Sequence, residues 1–183
     1  MGWERAGGLV TLFVSPWGPK GPTLATPQYL YASNPNSTTN GDDGDSGDEG
    51  PSQRPYETLT AVAAALGSPT PMTIDTNYAE SDYDKMVADV LDCQGVVLIA
   101  WQHEDIPLLN KTGQPGISQC ILTQTQTPSG TFTVPSSWPK GSQGARYDLV
   151  WVFDRPSGSG TITDFTIFAQ LLLAGDAPAP PPV

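Results

Sequence analysis

One histidine occurs in these 183 residues, His103, and it follows an apolar run in GVVLIAWQHEDIP, residues 95 to 107. In a parallel α/β sheet the strand ends are where side chains leave the core and meet ligands. An imidazole there, followed at once by the carboxylate of Glu104, could bond an anion and move a proton. The same histidine could equally be a half-buried ring satisfied by a neighbouring carbonyl. Arg54 is the second candidate: in SQRPYET it is the only basic residue between Lys20 and Lys85, and it stands at the start of a well-marked helix. A guanidinium beside unpaired helix N–H groups suits phosphate oxygens, although a single arginine at a helix start is also an ordinary surface residue.

The elements that would position these groups can be read from periodicity and punctuation. GWERAGGLVTLF places Trp3, Leu9, Val10 and Phe13 at helical spacing, and the Pro16–Pro19 cluster ends that run. PQYLYAS, residues 27 to 33, reads as a short buried strand. PYETLTAVAAAL, residues 55 to 66, opens with Pro and Glu and stops at Gly67, which predicts a helix. A further helix over 80–91 places Tyr83, Met86, Val87, Val90 and Leu91 on one face. Residues 95 to 101 read as a central strand, apolar on both faces, with a helical turn over 105–110. Residues 112 to 144 are polar and turn-rich without a clear period. RYDLVWVFD (146–154) and TITDFTIFAQLLL (161–173) read as strands. This order predicts an α/β fold in a single domain over 1–183.

Two segments stand apart. NPNSTTNGDDGDSGDEGPS, residues 34 to 52, has five acidic residues and no large apolar one, so it predicts a disordered acidic insertion. Its aspartates do not fall in the register of a calcium loop. Residues 174 to 183 form a proline-rich tail. With a formal net charge of −11, neither nucleic acid nor an anionic membrane is an expected partner. Cys93 and Cys120 are too few for a disulfide scaffold, and no metal-ligand spacing occurs, so no metal and no cofactor are expected. The absence of a signal-peptide pattern and of a long apolar run predicts a soluble, cytoplasmic protein.

Taken in order, GWERAGGLV, the YAS of Tyr31–Ser33, RPYET at Arg54–Thr58, GVVLIAWQHEDIP, RYDLVWVFD and QLLLAGD resemble the histidine phosphatase superfamily, the phosphoglycerate-mutase-like proteins. The resemblance implies a three-layer α/β/α sandwich with a mostly parallel sheet, and phosphoryl chemistry through a phosphohistidine. It implies that Arg54, His103 and Ser33 bind phosphate and that Glu104 protonates the leaving group. A phosphate-containing small molecule would be the partner. Family members begin with a strand ending in an Arg-His-Gly motif that carries the nucleophile. Here the first residues resemble the helix after it. The expectation is a related domain with its first strand missing, lacking the nucleophilic histidine and inactive as given. A non-catalytic binding or scaffold module, acting through the acidic loop and the proline tail, is the alternative.

Overall fold

The computed structural model describes residues 2–14, 24–37, 52–141, 144–156, 160–174 and 176–178. The acidic residues of the expected insertion, within 38–51, and the end of the tail, 179–183, lie outside the described residues. The chain packs as two compact units. One is built from residues up to Met86 together with Cys93–Gln102, the other from Val87–Asp92 together with the chain from His103 onward.

The first unit is helical and parallel-stranded. Helix α1 (Gly2–Phe13) buries Ala6, Leu9 and Phe13, one stripe at i, i+3 and i+7. Trp3, expected on that stripe, is 68% exposed. Strand β1 (Tyr29–Ala32) is followed by helix α2 (Arg54–Leu66), which buries Pro55, Leu59, Val62 and Ala63. Pro55 lies in the first turn, where a missing N–H leaves no helical bond unmade. At the other end the Gly67 N–H donates to the Ala63 carbonyl. Helix α1 packs on α2, and α2 covers β1, β2 (Ile74–Asp75) and β3 (Val97–Ala100).

These strands form one parallel sheet in the order β2-β1-β3. Tyr29 to Ala32 stand opposite Val97 to Ala100, residue for residue. Sequence pattern points to the GVVLIAW strand as the central one, but the centre belongs to β1. Leu30, Tyr31 and Ala32 are buried, whereas all four β3 residues are partly exposed. Among the described residues β3 has a ladder partner on one side only. Helix α3 (Tyr83–Asp92), preceded by a 3-10 turn over Glu80–Asp82, buries Met86 and Val87 completely. The Trp101 indole N–H donates to the Glu80 carbonyl at 3.1 Å and ties the end of the β3 segment to that turn.

The second unit is antiparallel. Strand β6 (Leu149–Asp154) pairs with β7 (Asp164–Ala169) along its whole length, in a two-stranded sheet of its own. A parallel neighbour needs a crossover of a dozen or more residues, and the nine residues between these strands permit a hairpin instead. A second, smaller antiparallel pair joins β4 (Lys140–Gly141) to β5 (Gly144–Ala145). Helix α4 (Ile117–Gln124) falls inside the stretch expected to be irregular and buries Ile117, Ser118 and Ile121. Eight residues display too few repeats for a 3.6-residue period to stand out. The protein is thus mixed α/β, with a small parallel three-stranded sheet and separate antiparallel pairs. No helix among the described residues is long and apolar enough to cross a membrane.

Candidate functional site

The four residues singled out by sequence divide two and two between the units: Ser33 and Arg54 in the first, His103 and Glu104 in the second.

In the first unit, Ser33 follows the last β1 residue and is 2% exposed. Arg54 is the first residue of α2 and is exposed. Twenty residues separate them in sequence, yet the structure draws their segments together. The Gln53 side-chain amide donates from Nε2 to the Pro35 carbonyl at 2.8 Å, fastening the start of α2 to the turn that leaves β1. That turn is anchored in its own right, because the Asn34 N–H donates to the Tyr78 carbonyl at 2.8 Å and the Asn36 N–H to Asn34 Oδ1 at 2.9 Å. Gln53, at the cap position, makes no side-chain bond to the helix N–H groups. The first unit thus ties the turn that leaves a parallel strand to the N-terminus of a 13-residue helix whose first residue is the exposed Arg54. Backbone N–H groups at such a terminus, with the partial positive charge of the helix dipole, favour an oxyanion.

In the second unit, His103 and Glu104 lie on a 3-10 turn, His103–Asp105. The turn comes earlier than the 105–110 expected from sequence. Pro107 accounts for the shift, since it lacks an N–H and disfavours helical geometry in the residue before it. His103 is therefore presented by a turn three residues beyond the last paired residue of β3, and not by the strand itself. Its side chain is 22% exposed. The ring stands edge-to-face to Tyr147, with centroids 5.1 Å apart, and to Trp138 at 5.9 Å. Trp138 in turn stacks on Trp151 at 5.3 Å, and Trp151 meets Phe165 edge-on. Burial pushes the imidazole below its ordinary pKa, and the Glu104 carboxylate offsets part of that effect.

A cleft of about 270 Å3 opens beside this ring, lined among others by His103, Glu104, Lys111, Ser137, Trp138 and Lys140. Small-molecule sites typically run from roughly 300 to 1,000 Å3, so the cleft lies at the small end of that range. Glu104 Oε1 is 4.0 Å from His103 Nε2, and Oε2 is 3.8 Å from Lys111 Nζ. The tryptophan wall is held from behind: Trp138 Nε1 donates to the Arg146 carbonyl at 2.6 Å. The Arg146 guanidinium forks onto Asp148, with Nε donating to Oδ1 at 2.9 Å and Nη2 to Oδ2, and also reaches the Pro178 carbonyl at 2.7 Å.

Lys111, Trp138, Lys140 and Tyr147 were not among the residues picked out by sequence. A signal existed for the lysines, which are two of only eight basic residues in an acidic chain. Nothing local marks the aromatic residues. Among the described residues, no cluster of three or more His, Cys, Asp or Glu is placed to hold a metal ion. No family model, no curated protein and no solved structure matches this chain.

Proposed function

We propose that this chain is a histidine-phosphatase-like domain that binds a phosphate-containing small molecule and, as given, does not turn it over. The reading includes the three-layer α/β/α sandwich and mostly parallel sheet of that superfamily as the architecture to which the observed parallel strands and helices belong. The observation that carries it is the bond from Gln53 to Pro35, which ties the residue before Arg54, at the start of α2, to the turn that leaves β1 two residues past Ser33. A guanidinium with helix N–H groups supplies charge and directional donors for phosphate oxygens. The second unit, taken by itself, offers groups of matching chemistry on the His103 turn: an imidazole that can bond an oxyanion and a neighbouring carboxyl group for proton transfer. A phosphohistidine mechanism of the two-histidine kind needs a second imidazole, and these 183 residues contain one. Without the nucleophile the covalent step is lost.

The test is calorimetric titration with inorganic orthovanadate, together with an assay on p-nitrophenyl phosphate. Vanadate is expected to bind on the order of millimolar affinity, about tenfold more weakly to Arg54→Ala, with no turnover of the ester. Vanadate binding that neither Arg54→Ala nor His103→Ala weakens would overturn the phosphate reading. Turnover abolished by His103→Ala would overturn the inactive one. No anion binding, with a protein partner captured through residues 34 to 52, would favour the scaffold alternative.

A further inference from the structure

The Glu104 carboxylate lies between two cationic or potentially cationic groups and closes on neither. Its Oε1 stands 4.0 Å from His103 Nε2, beyond the 2.7–3.2 Å of a hydrogen bond. Its Oε2 lies 3.8 Å from Lys111 Nζ. Half of the Glu104 side chain is exposed and able to move. The backbone on the Lys111 side is tied down. The Leu109–Pro115 loop is closed by a bridge between its ends, with the Asn110 N–H donating to the Gln114 carbonyl at 2.8 Å. Asn110 Oδ1 accepts from the Thr112 N–H at 3.0 Å, the Thr112 hydroxyl at 2.8 Å and the Gln114 N–H at 2.9 Å.

The segments on either side of the loop are joined as well. The Gly116 N–H donates to the Leu108 carbonyl at 2.9 Å, and the Ser118 hydroxyl to the Ile106 carbonyl at 2.5 Å. Gly116 sits so close that a Cβ there would come within 2.7 Å of the Asp105 carbonyl oxygen. The backbone that carries Lys111 is thereby tied into a closed loop, with the ammonium 3.8 Å from Glu104 Oε2.

We propose that Lys111 is a positioning residue of the His103 cleft: from its stapled loop it holds the Glu104 carboxylate away from the imidazole, leaving Nε2 to a ligand. Glu104 then serves as a restrained carboxylate flanking the ligand rather than as a partner that masks the ring. The inference rests on the phosphate reading for the ligand's identity, but not for the Lys111–Glu104–His103 coupling itself. The titratable or charged groups around the imidazole include Glu104 and the buried Asp105 on its own turn, Lys111 from the loop, Lys140 from β4 and the Tyr147 phenol between β5 and β6. Trp138 completes the wall without titrating.

Because His103 is the chain's one histidine, its ring protons can be followed by NMR across a pH titration without assignment. Lys111→Gln lets Glu104 close on the ring, so the imidazolium gains and the midpoint rises by about half a pH unit, a value discounted for partly exposed charges. Lys111→Arg leaves the midpoint in place. In a Glu104→Gln background the rise caused by Lys111→Gln falls to less than half of its size. Orthovanadate affinity drops about threefold in Lys111→Gln and is recovered in the Lys111→Gln/Glu104→Gln double variant. An unchanged or lowered midpoint in Lys111→Gln would overturn the proposal, as would an equal rise in the Glu104→Gln background, which would mean that Lys111 acts directly. If vanadate fails to bind the unaltered protein, the phosphate reading falls, while the titration still decides the role of Lys111.

Discussion

Replacing Asp148 by Asn keeps the size of the side chain and removes the charge that faces Arg146. The pair is well shielded, with 11% of the Arg146 side chain and 7% of the Asp148 side chain exposed. The geometry is bidentate. Removing one partner of such a pair strands the other, at a cost of about 3–5 kcal/mol. Arg146 retains the carbonyls of Ala177 and Pro178 as acceptors, which places the expected loss near the lower end, about 3 kcal/mol. For a chain of this size each kcal/mol moves the midpoint of thermal unfolding by about 2–4 °C, so a fall of about 6–12 °C is expected by circular dichroism at pH 7. The exposed Asp154→Asn is the control, expected within about 0.5 kcal/mol of the unaltered protein.

The same pair carries a pH signature. The Arg146 hydrogen bond and charge hold the Asp148 carboxyl below its ordinary pKa. A carboxylate depressed in the folded state contributes its stabilisation in full above the unfolded value, about 3.9. It loses that contribution as the pH falls through the folded value. The gap in Tm between the unaltered protein and Asp148→Asn should therefore be constant near neutrality and narrow below about pH 4. A Tm change under about 2 °C at pH 7, or a gap that widens toward pH 3, would refute the reasoning.

Two further substitutions probe the frame around the candidate groups. Gly116→Ala places a Cβ 2.2 Å from the Pro107 carbonyl oxygen and 2.7 Å from that of Asp105; overpacking of this kind costs about 1–3 kcal/mol, and chemical denaturation should show it, whereas Gly7→Ala in open space on α1 should be stabilising by about 0.5–1 kcal/mol. Leu59→Ala, at a site 1% exposed on the buried face of α2, should lower the unfolding free energy by about 2–5 kcal/mol, and a loss below 1 kcal/mol would show that α2 is not the packed helix described.

What was legible in the sequence was local, and the physical reason is the range over which each signal acts. Pro55, Glu57 and Gly67 mark the ends of α2 because capping and proline sterics operate within one turn, so its limits were read to within a residue. Val97–Ala100 was recognised as a strand, but its place at the sheet's edge depends on its pairing with Tyr29–Ala32, which no local pattern encodes. The wall beside His103 depends on partners still further apart in sequence: Trp138 lies on Trp151 and is held by Arg146, whose guanidinium is occupied by Asp148 and the Pro178 carbonyl. Arg54 is marked by its place before a capped helix and Ser33 by the family resemblance alone, and the bond that joins their segments belongs to Gln53, which no local pattern marks. Chemical type was therefore readable at single positions, whereas the couplings that would give those positions a function, Gln53 to Pro35 and Lys111 to Glu104, arise only where loops close. That is why Arg54→Ala and His103→Ala test the chemistry of single positions, whereas Lys111→Gln tests a coupling between them.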